Sequence, residues 1–545
     1  MPKPFPQISL DFESEDANPG IQLFGRRFYA DQTLLEYLAE LLLVLNSPKR
    51  FGTDVIFQKL LPPWEIIQGW PANQKLEYKA PIRLNLKLFA LLGASRLDSR
   101  HESHKQHYKD VLLKLENVIR AEGVDKRDVL KSLENLYLGF QGIGIDRTWC
   151  AQTMFPICKK FLLQETIWNE TIARKKGSFS WDDMLREFKT LFSVSKHRFM
   201  ARGGELLYLQ LCNAFRERNP ELTNFLNLYD LAENESDAQG LLSSLDAGLQ
   251  GITAKAPEAL DAIVDLIDKI DEYTWNATNR DDSFIECGWC PEESWREGYL
   301  FAVELSRLCT AIIDPIERIE LLMVGCGLQI LRSLCAQTMR YCNPNTHKNE
   351  NSLPLNFAWI ISDPEGTERT MKQLSQRNMN ALLTFIRRAL RTKEIEDNAA
   401  KSRRTSIEKI YDEADTRYGH KLFLSIGKRL GFIVPKRGPG ARFVLNERIL
   451  RYLVLTMIPP GSRRTYEDFK RGLYTHYGIA IEGEQLANAL SWCDFPRIDT
   501  GGTMGNSWLM AMLQASGFLV HLSDACSLVQ NPFSLDQTLS SRKGG

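Results

Sequence analysis

Two stretches, 295–308 and 316–341, carry apolar residues at helical spacing along most of their length. Helices that apolar must be covered on nearly every side, so the chain needs a core large enough to hold them. They are expected to supply the main core. No uninterrupted apolar run reaches the roughly 18 residues of a membrane span. The start, Met1-Pro2-Lys3-Pro4-Phe5-Pro6, lacks the apolar segment of a signal peptide. With 545 residues, 43% hydrophobic and 25% charged, the composition suits a globular protein of two to four domains.

Helical periodicity recurs over 31–45, 82–93, 108–122, 128–137, 181–192, 203–215, 259–273 and 370–391. Residues 1–29 look strand-like, with Ile8, Leu10 and Phe12 alternating. Prolines and glycines make 51–81 mostly loop, and 343–355 reads as an exposed loop. Eleven scattered cysteines, without a dense framework, fit a reducing cytoplasm.

The most explicit local pattern lies between 403 and 533. Helical spacing over 405–418 and 420–430 leads into two apolar arms around Pro435-Lys436-Arg437-Gly438-Pro439-Gly440. Gly438 and Gly440 supply positive φ and Pro439 fixes a turn, so the tip closes a hairpin. Helix, helix, basic hairpin is the winged-helix order, and such a wing lies along a nucleic-acid backbone. A second unit opens at Asn446, a predicted N-cap. Its first helix stops at Pro459-Pro460-Gly461. Thr465, with Asp468 three residues on, caps a helix over 466–477. Helices over 482–491 and 506–516 follow, and a hairpin over 517–530 closes the unit.

Net charge is zero, but its distribution is uneven. Residues 381–471 hold 21 Lys/Arg against 10 Asp/Glu, whereas 230–286 hold 3 against 14. The basic end suits phosphate; the acidic segment reads as a solvated face. The candidate DNA contacts are Lys428, Arg429, Lys436, Arg437, Arg442, Arg463, Arg464, Lys470 and Arg471. Such cations suit duplex backbone contact more than base reading, so no sequence specificity is expected.

Other motifs have bland readings. Gly139, Gly142 and Gly144 follow a helix and lack a phosphate-loop ending, so they mark a turn. The loop 146–152 is expected to be fixed by a buried Trp149. Arg202 is expected to clamp Glu205; the alternative is an anion held at the helix start. Cys287 and Cys290 have half a zinc spacing, with Cys342 and His347 as distant complements, but buried thiols are the default. His101, His104 and His107 are expected in an exposed polar segment. No catalytic motif stands out, and no cofactor or metal is expected.

Several stretches carry a family resemblance: 24–38, 142–152 around Arg147-Thr148-Trp149-Cys150, 198–205, 427–435 with Pro459-Pro460-Gly461, and 522–533. They resemble the large non-helicase accessory proteins of bacterial multi-gene anti-phage systems, nearest a Druantia-type component. The C-terminal pattern is also similar to accessory proteins of phosphorothioation-dependent restriction. The resemblance implies work beside a large helicase on phage DNA, and brings no catalytic residues. The expectation is a mainly α, multi-domain helical protein with C-terminal tandem winged-helix units. Its divisions fall at 1–110, 111–400 with the acidic segment 230–286, 403–445, 446–533 and a disordered tail at 534–545. The expected function is a non-catalytic, cytoplasmic DNA-binding and scaffolding subunit. The alternatives are a protein adaptor or a metal-dependent nuclease.

Overall fold

The computed structural model describes residues 1–51, 55–92, 102–142, 147–177, 180–193, 200–217, 221–229, 231, 233–252, 258–270, 284–342, 355–403, 405–493, 508–523 and 526–535. It is mainly α, at 60% helix.

Four helices build the centre. The first, α1 (Leu34–Asn46), begins at Thr33, whose hydroxyl accepts the Glu36 N–H while the Glu36 carboxylate accepts the Thr33 N–H. That reciprocal pair satisfies two donors and fixes the start. The others are α2 (Gly203–Ala214), α3 (Trp295–Thr310) and α4 (Pro315–Cys342). Each packs on the next, and α4 returns to α1, closing a ring. The expectation that 295–308 and 316–341 form the core is met, with both helices buried along nearly their whole length. By averaged hydropathy α4 would pass for a membrane span, but 89% of that window is buried inside the protein.

Close approach of α2 to α1 depends on glycine. A Cβ at Gly204 would lie 2.5 Å from the Leu41 nitrogen and 2.6 Å from the Glu40 Cβ. The start of α2 also resolves the two readings of Arg202. The Glu40 carboxylate accepts N–H bonds from Arg202 at 3.1 Å and Gly204 at 2.6 Å, and one from the Gln32 amide at 2.8 Å. The helix start is therefore occupied by the chain's own Glu40 carboxyl, whose pKa burial and then the neighbouring Glu205 push up to about 8, and the expected pairing of Arg202 with Glu205 is also present. The Arg202 guanidinium lies 3.9 Å from Glu205 and donates to the Glu286 carbonyl.

A buried polar spine crosses the ring. Arg332 pairs with Glu304 at 2.6 Å and donates to the Gln329 side chain and the His476 carbonyl. Tyr452 donates to the same Glu304. Dense hydrogen bonding of this kind is what offsets the desolvation of a buried ion pair.

A second lobe has its own core, in which Phe89, Val111, Tyr137, Trp149, Trp181 and Val264 are fully buried. It combines the helices Leu84–Leu91, Glu102–Val118, Lys126–Leu138, Trp181–Arg186 and Phe188–Leu191 with Glu258–Lys269 from later in the chain. The expected division at residue 110 thus falls inside a helix. Cores, not chain order, separate the lobes. Residues 1–29 form one short strand, Pro4–Phe5, and a helix, Pro19–Phe24. Ile8, Leu10 and Phe12 alternate in sequence but find no strand partner among the described residues.

The C-terminal third holds α5 (Arg369–Ala389), α6 (His420–Leu430), α7 (Glu447–Met457) and α8 (Tyr466–Tyr477). Its strands are β1 (Trp359–Ile360), β2 (Ile433–Val434), β3 (Arg442–Phe443), β4 (Arg463–Thr465), β5 (Ile479–Ala480), β6 (Leu519–Ser523) and β7 (Cys526–Gln530). The sheet order β4–β7–β6 is antiparallel throughout. The expected boundary between 445 and 446 separates elements but not bodies. β1 runs parallel to β5, and Ile361 bridges Phe443 of β3, so one segment from before both units joins them. Of the expected tail 534–545, Ser534 and Leu535 are described and are tied to the body, the Ile312 N–H donating to the Ser534 carbonyl and Leu535 bridging Ala311; 536–545 lie outside the described residues.

Candidate nucleic-acid interface

The basic hairpin is set on a prepared seat. Gly431, at φ 72°, ends α6, and Asn446 joins the two helices around it. Its amide donates to the Leu430 carbonyl and its oxygen accepts the Ile449 N–H, both at 2.8 Å. The predicted N-cap is thus also a stop for the preceding helix. Strand β2 pairs with β3 in the register Ile433 to Phe443 and Val434 to Arg442. Gly438 and Gly440 take φ of 93° and 82°, as the turn chemistry requires.

The far arm is fastened to α5. Phe443 N–H donates to Ser375 Oγ at 2.8 Å, and Gln376 donates to the Gly440 carbonyl at 3.2 Å. On the same helix Asn378 grips the β1 segment at two points, accepting from the Ile360 N–H and donating to the carbonyl of Ala358 just before the strand. One helix therefore fixes the hairpin and the strand that links it to the second unit.

The nine expected contacts divide into different roles. Lys436 and Arg437 stand exposed at the tip and make no ion pair or side-chain hydrogen bond among the described residues. Arg442, six residues from Lys436, is 7% exposed and points inward. It donates to Ser362 Oγ at 2.6 Å and to the carbonyls of Asp363 and Pro364 at 2.9 and 3.0 Å. It is a clamp, and its expected role as a DNA contact is corrected. Lys470 is also 7% exposed, held between Glu467 at 2.8 Å and Glu482 at 3.1 Å with its ammonium over the Tyr466 ring. Arg471 pairs with Asp468. Arg429 donates to the Gln32 carbonyl at 2.6 Å, tying α6 to the loop before α1. Lys428 stays half-exposed at the end of α6. Arg463 is exposed on β4, opposite Gln530, and Arg464 is half-buried beside it. The structure thus joins Lys436 and Arg437 in one open site and puts the β4 pair on a different sheet.

A larger cationic element lies outside the nine expected contacts. Helix α5 carries Arg369, Lys372, Arg377, Arg387 and Arg388 and no Asp or Glu. Its buried side is Leu374, Ser375, Asn378, Met379, Leu382, Ile386 and Ala389. All five cations are exposed. The signal in the sequence is this absence of acids across 21 residues.

The remaining motifs are structural. Trp149 is fully buried, as expected, and donates to His104 Nδ1 at 3.1 Å. His104 and His107, expected in an exposed segment, are buried against Trp149, Trp168 and Trp181. Cys287 and Cys290 are buried, and burial pushes the Cys287 thiol well above its usual range. Cys342 donates to the Phe385 carbonyl at 3.1 Å, and burial pushes its thiol up to about 11. His101, Gly144, Asp146, His347 and most of the loop 343–355 lie outside the described residues. Among the described residues no three His, Cys, Asp or Glu side chains converge on a point that could hold a metal. No family model, curated protein or solved structure matches this chain.

Proposed function

We propose that this chain is a non-catalytic subunit that binds duplex DNA with its C-terminal third and uses its helical body as an assembly platform. In this reading residues 403–445 and 446–533 act as winged-helix units, and the hairpin of the first is the wing that meets the backbone. The family resemblance sets the context: a cytoplasmic anti-phage complex of bacteria, with a large helicase as partner.

The observation that carries the reading is the hairpin tip. Lys436 and Arg437 are exposed and have no ion pair among the described residues, while Ser375, Gln376 and Arg442 hold their hairpin to the body. A cation presented by a fixed backbone loses little freedom on meeting phosphate. Replacing Lys436 and Arg437 together by Glu is expected to weaken binding to unrelated duplexes alike, by at least about tenfold at 50 mM salt. Fluorescence anisotropy on the intact chain reads this, and unchanged affinity would sink the proposal.

One observation favours a protein contact for the second unit. Its hairpin, 517–530, has no Lys or Arg, and Leu522 is 60% exposed. In an adaptor role this edge faces a subunit. A pull-down that survives nuclease digestion, with no duplex bound at any salt, would replace the DNA reading by that one.

A further inference from the structure

We infer that the solvent face of α5 is the larger half of the DNA site and that the site is built for a double helix rather than a single strand. This rests on the DNA-binding reading above and adds to it a second element, named residues and the form of the ligand.

The face is unlike the rest of the surface. Several other arginines that reach solvent have acidic company: Arg391 with Asp415, Arg417 with Asp31, Arg448 with Glu320 and Arg471 with Asp468, whereas Arg120 and Arg463 stand singly without an ion pair among the described residues. Arg369, Lys372, Arg377 and Arg388 make no ion pair among the described residues. At its N-terminal end the arrangement also works against the helix, whereas Arg387 and Arg388 in the last turn complement the dipole. Arg369 and Lys372 stand in its first turn, where the dipole favours acids, and that turn contains none. Like charges three residues apart add repulsion. An ordinary solvated face has no reason to collect these penalties, whereas a polyanion repays them on binding. Glu365 and Glu368, in the turn before α5, close the cationic stripe at that end.

Size and chemistry select the ligand. At 1.5 Å per residue the 21 residues of α5 span about 31 Å, close to one turn of duplex. Gln376 bonds the Gly440 carbonyl, so the tip with Lys436 and Arg437 rises beside the first half of α5. The two cationic elements therefore form one continuous track. Sites for a single strand stack its bases on exposed aromatic rings. Between the cations the outer face of α5 offers Gln373 and Asn380, and the tip offers Pro and Gly; neither exposes an aromatic ring.

The experiment uses the full chain and fluorescent probes of one length: a DNA duplex of arbitrary sequence, its single strand, and the matching RNA duplex, each titrated from 50 to 200 mM NaCl. The variants are Arg369→Ser with Lys372→Ser and Arg377→Ser, the milder Arg377→Gln, and the tip pair Lys436→Glu with Arg437→Glu. All change exposed side chains, so their melting curves should overlay the parent's. The DNA duplex should bind tightest. The triple variant should lose at least tenfold affinity at 50 mM and flatten the slope of log K against log salt by about 2.7, and Arg377→Gln by about 0.9. Full slope and affinity in both α5 variants, with binding weakened by the tip pair, would overturn this inference and leave the DNA-binding reading standing. Equal or tighter binding of the single strand or the RNA duplex would overturn the choice of ligand. Absence of duplex binding by the parent chain at 50 mM would overturn both.

Discussion

Lys436 and Arg442 lie on one hairpin, and their sequence context does not tell a ligand contact from a clamp. Tertiary partners show that Arg442 is a clamp and leave Lys436 in solvent. Arg442→Met strips three bonds from a buried turn and is expected to cost about 2–3 kcal/mol, read as a lower urea midpoint. Lys436→Met should shift stability by less than about 0.5 kcal/mol while weakening DNA binding. A second residue sets a pH response. His476 is fully buried against Tyr229, and burial first, then the charges of Arg307 and Arg332, hold its pKa well below 6.5. The folded state therefore keeps it neutral, and an unfolded histidine takes up a proton that the folded one refuses. Its contribution to stability is present above pH 6.5 and drains away as pH falls toward the folded value, by up to about 1.4 kcal/mol per unit. His476→Phe should lose less stability than the parent between pH 7 and pH 5.5, and parallel losses would refute this. His104 and His107 show why such placement was hard to see. Their spacing fits a buried stripe as well as an exposed one, and Glu102, Lys105 and Gln106 around them suggest solvent.

Element boundaries were the most legible level. The helix expected over 420–430 is observed with those ends, because Gly431 can take the left-handed conformation that terminates it. The helix over 466–477 is also observed as expected: Thr465 accepts the Asp468 N–H at its start, and Gly478, at φ 71°, closes its end. What periodicity did not convey is how near two elements come. Helix α2 is buried on all sides, so no stripe marks the face that meets α1. The glycines at 203 and 204 permit the approach, a Cβ at 203 falling onto the Tyr37 ring and one at 204 falling 2.5 Å from the Leu41 nitrogen. Gly204→Ala would press a methyl into the backbone of α1 and should destabilise the fold by about 3 kcal/mol, measured by urea denaturation. A midpoint within error of the parent would show that the helices can separate without cost. The acid-free face of α5 was legible too, but only as composition. That it flanks the hairpin tip follows from the Ser375 and Gln376 bonds.

At the scale of the whole molecule the tandem units are not free-standing. Leu422, Phe432, Tyr452 and Tyr477 belong to the same continuous core as Tyr37, Leu207, Phe301 and Leu331. The Arg332–Glu304 spine ends on the His476 carbonyl and the Tyr452 hydroxyl, so α7 and α8 complete the polar satisfaction of α3 and α4. A fragment spanning 403–535 would expose that shared core and is expected to show no cooperative thermal transition by circular dichroism. A sharp transition in the isolated fragment would mean that its own contacts suffice. Sequence alone determined the helical class, most helix ends, the turn that closes the basic hairpin and the cores of α3 and α4, because these depend on local propensity, capping and apolar period. Tertiary structure decided which cations remain in solvent, that residues 258–269 join a lobe begun at residue 84, and that the segment 359–361 joins the two C-terminal units. Those outcomes depend on which distant groups satisfy a buried charge or an open strand edge, and spacing along the chain carries no record of that.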